Sequence, residues 1–582
     1  RTNSMEGLHQ TQRIKDLKDK MLSEPRYASI EQALIITKTY QENEDDPKII
    51  QRAKSLKAAL EKMEIRVEPE ELIVGNRTAG VRYGVVFPES GSTWVDKEFE
   101  TLPTRPQDRF NVHQEDIETF RKVIKPYWEG KSLEDVLNQR YGKEINKIAK
   151  VVKINQKDHA QGHICPDCVK WLKMGPQGLL DQAEEKLKIC KEEQKDFYES
   201  VKIVMEGAKH FMVRYHDLIM NMAENESDET RKQTMIKVAQ NCKNISERPV
   251  QTFHEAVQST WFLFVILQME SNASSFSPGR LDRHLEAYYE KDIKEGNLDK
   301  QQALEIIECL WLKFNEIVYM RNSHGAKYFA GFPIGFNIAI GGQDENGNDT
   351  YNDLSLLCLK AQEHLGLPQP NLSVRLNKNS SHELMQAAIK VVSLGSGMPQ
   401  FFNDEAIIQP MIEDLGIEEK DADGNKVNAT GKKGEQGEPG QPGEPGQDAS
   451  ANVSINKDGY IVIGDVVTSL KTDTKVPSIV INEVDGLYVI TLDGKEYKML
   501  AEGSAYNGLQ SIIYRRQAAD DREDFVRSIG LMSSNDPEAE LLATSASVAT
   551  FKVWPTTLDL GKAVFAFTDT YKTRALVPAL KY

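Results

Sequence analysis

Glycine recurs at every third position from Gly431 to Gly446, and no other pattern in this 582-residue chain limits the backbone so strictly. Prolines stand between several of these glycines. A collagen-type triple helix requires this spacing, because only glycine fits at its crowded axis. The run is short, so it predicts either a flexible extended linker or a possible trimeric stalk. It divides the chain into residues 1–422, a linker at 423–450 and a tail at 451–582.

The composition is that of a folded, acidic protein. The chain has 72 Lys and Arg residues against 88 Asp and Glu residues, which gives a net charge of −16. This balance argues against nucleic acid as the main partner, because phosphate binding needs clustered basic residues. No apolar run approaches the ~20 residues of a membrane span. The start of the sequence has no apolar signal region, so we expect the first part to be cytosolic.

Residues 1–422 have the pattern of a helix-rich α/β domain. Apolar residues recur at helical spacing in segments 28–64, 178–245, 252–270, 281–317 and 381–394. Three short β-rich runs lie between them, at Leu72–Val74, Phe336–Ile340 and Asn371–Leu376. Helices that alternate with short apolar strands predict a parallel sheet covered by helices on its outer face.

The tail is predicted to be rich in β-strands. Tyr460–Val467, Leu487–Leu492 and Val548–Val553 have strand composition, and Asp493-Gly494 predicts a hairpin turn into Lys495–Met499. The tail shows no nucleophile with a nearby base, no metal cluster and no phosphate-binding loop. Binding or display is therefore its default interpretation.

The six cysteines lie at positions 165, 168, 190, 242, 309 and 358, which suits a reducing compartment better than a disulfide framework. Cys165 and Cys168 form one Cys-x-x-Cys pair. A zinc site would normally need a second pair, so we interpret this spacing as coincidence and predict no metal site. Cys309 and Cys358 fall in apolar helical runs, where buried thiols are normally inert.

Four runs in the first part carry a family resemblance. They are Glu71–Asn76, Glu270–Asp282, Gln369–Arg375 and Gly397–Glu405. In this order and spacing they resemble the N-terminal half of a glycyl radical enzyme. The relevant branch contains pyruvate formate-lyase and the B12-independent glycerol and diol dehydratases. The resemblance extends over about residues 10–422.

This resemblance implies the N-terminal half of a ten-stranded α/β barrel made of two five-stranded half-barrels. One central loop of such enzymes carries a cysteine that becomes a thiyl radical. A second loop carries a glycine radical installed by a radical S-adenosylmethionine activating enzyme. The resemblance also implies a small polar substrate, a homodimer and no other bound cofactor.

Several residues can be matched to family positions. His163 resembles a histidine that binds a substrate hydroxyl in the dehydratases, although a histidine that only supports its neighbours fits equally well. Ser275 matches a serine that faces the substrate. Ser274 replaces a family histidine, so the resemblance does not extend to glycerol itself as the substrate. We interpret Arg280 and Asp282 as a structural ion pair rather than as catalytic groups.

The last of the four runs predicts local structure. Phe401 and Phe402 are expected to pack inside the barrel. Asn403, Asp404 and Glu405 are expected to cap the helix that follows, because Asn and Asp commonly do so.

The radical-bearing parts of the family have no counterpart here. In the family, a stretch resembling Gly416–Ala422 runs on to a Gly-Cys-x-Glu loop that supplies the thiyl cysteine and, in dehydratases, the general-base glutamate. In this chain no cysteine follows Cys358, and the Arg-Val-x-Gly-Tyr run of the radical glycine is also absent. We therefore predict no catalytic residues and no lyase or dehydratase activity.

The tail, from about residue 421, resembles collagen-repeat domains of Bacteroidetes secreted or surface proteins. An exported tail conflicts with an anaerobic, cytosolic first part, so we interpret the chain as a chimera joined near residues 420–423. Two alternatives stay open. One is a structural or surface-display protein with an inactive half-barrel on a collagen-like stalk. The other is an enzyme completed by another chain that supplies the missing half.

Overall fold

The computed structural model describes residues 5–91, 93–150, 162–329, 334–344 and 346–413, and the backbone of twelve strands between Val453 and Pro578. The chain forms two compact units. The first unit comprises Arg1–Asn146 and Ile154–Gln436, and the second comprises Lys147–Lys153 and Gly437–Tyr582. The collagen-like run and the Asp493-Gly494 turn lie outside the described residues.

Helices dominate the first unit, and each of the five segments predicted to be helical contains helices, so that prediction is confirmed. None of the described helices is long and apolar enough to cross a lipid bilayer. In chain order they are α1 (Gln12–Ser23), α2 (Glu31–Glu42), α3 (Lys48–Lys62), α4 (Thr93–Glu98), α5 (Gln114–Thr119), α6 (Lys125–Trp128), α7 (Leu133–Ile148), α8 (Cys168–Leu187), α9 (Glu192–Glu224), α10 (Glu229–Glu247), α11 (Phe253–Ser271), α12 (Leu281–His284), α13 (Glu286–Lys294), α14 (Lys300–Glu316), α15 (Ser323–Phe329), α16 (Asp353–Leu365), α17 (His382–Val392) and α18 (Asp404–Glu413).

Side-chain caps fix where several of these helices begin. Asp228 caps α10, Thr252 caps α11 and Asp299 caps α14, each by accepting a backbone N–H of the first turn. Such a cap satisfies a donor that the helix start leaves open and contributes roughly 1 kcal/mol. Helix α8 is interrupted at Gly175, where φ is 64° and Pro176 follows.

The main core of the first unit lies around α11 and α14. Trp261 of α11 and Phe314 of α14 are fully buried and meet edge to face, with ring centroids 5.6 Å apart. Phe336 packs on Phe314 with ring centroids 4.8 Å apart. These contacts place the residues just before the parallel sheet directly against the two most buried helices.

The parallel sheet has the strand order β3 (Asn337–Gly341), β4 (Asn371–Leu376) and β5 (Gln400–Asn403). β4 agrees with the predicted strand in every residue and β3 is displaced by one, so both predictions are confirmed. β5 was missed by the sequence analysis. A separate two-residue parallel pair is formed by β1 (Ala28–Ser29) and β2 (Gly84–Val85).

The two faces of this sheet differ in burial. Ile338 pairs in register with Leu372 and is fully buried, as are the next inward-pointing residues of both strands. The alternate positions, Asn337, Asn371 and Ser373 among them, stay partly exposed. Helices therefore cover one face of the sheet, as predicted, and leave the more polar face open in the first unit.

The predicted strand at Leu72–Val74 is wrong, because side chains of α11 take the place of a neighbouring strand. His254 donates from Nε2 to the carbonyl of Leu72 at 2.7 Å. Gln258 accepts from the Val74 N–H at 2.8 Å and donates to the Val74 carbonyl at 2.7 Å. Trp261 Nε1 donates to the carbonyl of the following residue, Gly75, at 2.9 Å. Burial lowers the pKa of His254 to about 4, so its imidazole is neutral.

The described strands of the second unit pair only in antiparallel fashion. Two three-stranded sheets contain β6-β7-β8 and β9-β10-β11, a four-stranded sheet has the order β13-β12-β16-β17, and β14 pairs with β15. The strands are β6 (Val453–Ile455), β7 (Tyr460–Ile463), β8 (Val466–Lys471), β9 (Val480–Val484), β10 (Leu487–Leu492), β11 (Lys495–Leu500), β12 (Leu509–Gln517), β13 (Asp524–Gly530), β14 (Ala539–Thr544), β15 (Ala549–Val553), β16 (Ala563–Asp569) and β17 (Arg574–Pro578).

Candidate functional site

Two further backbone segments extend the parallel sheet on the side of β3. Gly279 forms a parallel bridge with Ile338 of β3, and Ile164 forms a parallel bridge with Phe276. The Ser277 N–H donates to the Ile164 carbonyl at 2.9 Å, which ties the outer segment in place. The spatial order is therefore segment 163–164, segment 274–279, β3, β4 and β5, five parallel backbone stretches side by side.

His163 and Ser275, the two residues predicted to bind substrate, lie next to each other at the edge of this array. The His163 N–H donates to the Ser274 carbonyl at 3.1 Å, and the Ser275 N–H donates to the Ile334 carbonyl at 2.7 Å. The His163 side chain is exposed and Ser275 is half-buried. Both residues have left-handed backbones, with φ of 60° and 61°. Such conformations are unfavourable for residues other than glycine and concentrate at functional sites.

Two glycines allow these segments to approach so closely. A Cβ atom at Gly162 would overlap the carbonyl oxygen of Ser274. A Cβ atom at Gly335 would lie 2.7 Å from the Ser275 hydroxyl, and φ at this glycine is +92°. Any larger residue at either position would displace His163 or Ser275.

Asn337 and Ser277 are two polar residues of this site that the sequence analysis missed. Asn337 donates from Nδ2 to the Ser277 hydroxyl at 3.3 Å and to the Gly335 carbonyl at 3.2 Å. The available signal was a polar residue at the start of an otherwise apolar strand. With His163 and Ser275, these side chains present hydroxyl, amide and imidazole groups, which suit a hydroxyl-bearing ligand.

Arg280 and Asp282 are not within ion-pair distance of each other, so the predicted pair is wrong. Instead, Arg280 Nη2 donates to the Gly341 carbonyl at 2.6 Å, while Asp282 Oδ2 accepts from the Gly341 N–H at 2.9 Å. The Ser355 hydroxyl also donates to Asp282, at 2.7 Å. Burial raises the pKa of Asp282 and lowers the pKa of Arg280. Their role is structural, because together they hold the end of β3.

The predicted capping of α18 is confirmed for Asn403 and wrong for Asp404 and Glu405. Asn403 accepts the Glu405 N–H at 2.9 Å and so caps the helix. Asp404 is almost completely buried and instead pairs with Arg375 through two contacts, at 2.8 and 3.1 Å. Glu405 accepts the Lys378 N–H at 2.9 Å. A buried carboxylate needs such a partner more than a helix start needs a cap.

Phe401 and Phe402 do not pack as expected. Their side chains are 45% and 40% exposed, on a strand in which all four residues are exposed. Ile389 and Leu394, at and just beyond the end of α17, are 58% and 55% exposed. Large apolar side chains are therefore open to solvent on β5 and at the end of α17.

The buried thiols agree with the predicted inertness of Cys309 and Cys358. Both are buried, and burial raises the pKa of Cys309 to about 12 and the pKa of Cys358 well above its usual range. Nucleophilic and redox-active cysteines normally have lowered pKa values. Across the described residues, no group of three or more His, Cys, Asp or Glu side chains is arranged to hold a metal ion.

The sequence profile of a family described as pyruvate formate lyase-like matches residues 8–427. The chain belongs to the pyruvate formate lyase-like family. It is 33% identical over 405 residues to the probable dehydratase YbiW of Escherichia coli K12, and this alignment covers 67% of this chain and 50% of YbiW. It is 30% identical over 416 residues to (2S)-3-sulfopropanediol dehydratase of Klebsiella oxytoca, covering 69% of this chain and 50% of that protein.

Comparison with solved structures gives the same result. The glycerol-bound B12-independent glycerol dehydratase of Clostridium butyricum aligns with a TM-score of 0.69 and 33% identity, over 72% of this chain and 54% of that one. A glycyl radical enzyme of Archaeoglobus fulgidus aligns with a TM-score of 0.68 and 31% identity, over 71% of this chain and 54% of that one. The resemblance of the first part to glycyl radical enzymes of the dehydratase and lyase type is confirmed. The chain spans about half the length of the curated relatives it matches.

The two sequence runs that carry the radical in glycyl radical enzymes are not found in this sequence. It contains neither a Gly-Cys-x-Glu run nor an Arg-Val-x-Gly-Tyr run. The thiols of Cys242, Cys309 and Cys358 lie in the core of the first unit, away from solvent. No step of a radical reaction can be assigned to them.

Proposed function

We propose that residues 8–427 form the first half-barrel of a glycyl radical enzyme and carry part of its site for a small polar substrate. The observation that carries this proposal is the placement of His163 beside Ser275, two residues far apart in sequence that meet at the edge of five parallel segments. A similar protein, whose structure aligns over 72% of this chain, was solved with glycerol bound. In this proposal the His163 imidazole and the Ser275 hydroxyl bind a hydroxyl group of the substrate.

This half-site is tested by ligand binding rather than by turnover. We expect weak, saturable binding of propane-1,2-diol in a ligand-observed NMR titration of the full chain. His163→Ala and Ser275→Ala should each reduce it, since each removes one hydrogen-bonding group. His210→Ala, which removes an exposed histidine of α9, is the matched control and should have no effect. Equal binding by all four proteins would refute the assignment.

We also infer that this chain by itself performs no radical chemistry. No cysteine follows Cys358, and the buried thiols before it have raised pKa values. The test is anaerobic incubation with a radical S-adenosylmethionine activating enzyme, followed by electron paramagnetic resonance and product analysis. The glycerol dehydratase of C. butyricum is the positive control. A glycyl radical signal or consumption of a diol by this chain would overturn the inference.

We further propose that residues 423–450 are a collagen-like linker and that 451–582 form a separate small β-rich domain, joined to the first part as a chimera. The change in composition near residue 422 and the end of the family match at residue 427 support this proposal. A single-molecule DNA read through the codons for residues 417–431 tests it. A read that confirms the triplets establishes the fusion. A read that continues into a Gly-Cys-x-Glu loop rejects it.

One observation favours a second candidate, in which another chain supplies the missing half. Phe401 and Phe402 expose apolar side chains on β5, the strand at the end of the sheet. Large exposed apolar patches commonly mark protein interfaces or aggregation sites. Anaerobic co-purification with a chain that bears both radical loops would support completion by a partner. A soluble, monodisperse protein without a partner would favour a structural or display role, and light scattering would distinguish a monomer from the homodimer and the stalk trimer.

A further inference from the structure

A cavity of about 150 Å³ in the first unit is lined by three arginines, Arg26, Arg82 and Arg321. Asp108 is the one acidic residue among the described residues that line it. A single ordered water needs roughly 10–15 Å³ of such space, so the cavity has room for a small molecule. The function proposed above makes no use of this cavity.

Backbone hydrogen bonds hold the loops that carry these arginines in fixed positions. The Arg82 N–H donates to the Glu316 carbonyl at 3.0 Å. The almost completely buried Arg105 donates to the Arg321 carbonyl at 2.7 Å and to the Asp108 carbonyl at 2.9 Å. Arg82 and Asp108 have left-handed backbones, with φ of 58° and 53°. The cavity wall is therefore preorganised.

The positive charge at this cavity exceeds the negative charge. Asp108 is already bound by Arg26 at 2.7 Å and lies 3.5 Å from Arg105. Arg82 donates from Nη2 to the Leu22 carbonyl at 3.0 Å, and none of the described carboxylates lies within ion-pair distance of it. The buried Nε groups of Arg26 and Arg82 have no acceptor among the described residues. Burial lowers the pKa of Arg82, and the nearby charge of Arg26 lowers it further.

We propose that this cavity binds a small organic oxyanion, a carboxylate, sulfonate or phosphate group attached to a short apolar part. Guanidinium groups bind such oxyanions through paired, charge-assisted hydrogen bonds. Leu22, Ile317 and Ile334 supply an apolar wall for the remainder of the ligand. The bound anion would accept N–H groups of the arginines that line the cavity and would relieve the repulsion between Arg26 and Arg82.

Isothermal titration calorimetry of the full chain tests this site, with acetate, methanesulfonate and methyl phosphate at constant ionic strength set by chloride. We expect saturable binding of at least one of them. Arg82→Gln should raise the dissociation constant by about tenfold or more, because it removes one charge-assisted hydrogen bond. Asp108→Asn should lower the dissociation constant, because it removes a carboxylate that competes with the anion. The variant should fold, because asparagine tolerates a left-handed backbone.

Arg121→Gln is the matched control, since this exposed arginine pairs with Asp96 and Glu100 and its loss changes the net charge equally. Its dissociation constants should match those of the unmodified protein. If circular dichroism shows that Arg82→Gln does not fold, Arg321→Gln takes its place. Absence of saturable binding by the unmodified chain, or equal losses in the Arg82 and Arg121 variants, would overturn the proposal. Binding is read directly, so failure of the radical-enzyme assignment leaves this test intact.

Discussion

Replacing Gln258 with leucine should release the buried segment at Leu72–Val74 from helix α11. Gln258 is completely buried, and its amide bonds both the N–H and the carbonyl of Val74. Leucine has a similar size but cannot hydrogen-bond, so two buried backbone groups would lose their partners. Each such group costs about 1–3 kcal/mol, which predicts a loss of about 2–6 kcal/mol in the free energy of unfolding.

Gln268→Leu on the same helix is the matched control. Gln268 is also completely buried, but neither polar atom of its side chain has a partner among the described residues. Removing an unsatisfied amide should leave stability unchanged or raise it. Urea unfolding followed by tryptophan fluorescence compares the two variants, and hydrogen exchange of residues 72–76 locates the effect. A loss of 2 kcal/mol corresponds to roughly 30-fold faster exchange. Equal destabilisation by both variants, or none from Gln258→Leu, would refute the reasoning.

Three further changes have defined outcomes. Gly162→Ala should abolish diol binding measured by NMR, because its Cβ would overlap the Ser274 carbonyl. Burial raises the pKa of Glu316 to about 7, so stability should fall as pH rises from 4.5 to 7, and Glu316→Gln should flatten that slope in urea titrations at several pH values. Asp282→Ala should lower stability in the same titrations by about 2–6 kcal/mol, because it removes the buried acceptor of two groups, the Gly341 N–H and the Ser355 hydroxyl.

The helices and two strands of the first unit could be predicted because their signal is local. Strand β4 was predicted in every residue, since Asn371–Leu376 is short, alternates polar with apolar residues and is bounded by Pro370 and a polar loop. Strand β5 could not be predicted, because Gln400–Asn403 is exposed and becomes a strand only by pairing with β4. Its identity depends on a partner that the local sequence does not specify.

The error at Leu72–Val74 has a physical explanation that a sequence could reveal. His254, Gln258 and Trp261 are spaced four and three residues apart, which places them on one face of α11. This helix lies in the apolar core, so polar side chains on its buried face must find hydrogen-bond partners. Their partners are the backbone groups of an extended segment. Buried polar residues at helical spacing therefore indicate that a neighbouring extended segment forms its backbone hydrogen bonds with a helix rather than with a strand.

The candidate site shows the opposite limit of sequence reasoning. His163 and Ser275 were singled out by family resemblance, but their contact depends on Gly162 and Gly335, whose missing side chains leave space for a neighbouring backbone or hydroxyl. No periodicity marks a glycine that another segment must approach. Asn337 was overlooked for a similar reason, since a polar residue at a strand end is ordinary until its neighbours are known.

The open face of the sheet connects these observations to the proposed function. Parallel sheets are normally covered on both faces, and their residues are then apolar throughout. Here Ile338 and Leu372 are buried under helices. Asn337 and Ser373 point to the other face, which is partly exposed. His163 lies in the outermost segment at one edge of this array. A parallel sheet with one polar face requires a second layer or a lumen on that side. The same sheet ends at an exposed β5, and such edges readily pair with another chain. If the first unit is a half-barrel, as proposed, the features that would hold a substrate and those that would cause aggregation are two consequences of the same open sheet. Solubility and ligand binding should then improve together when a matching half is supplied.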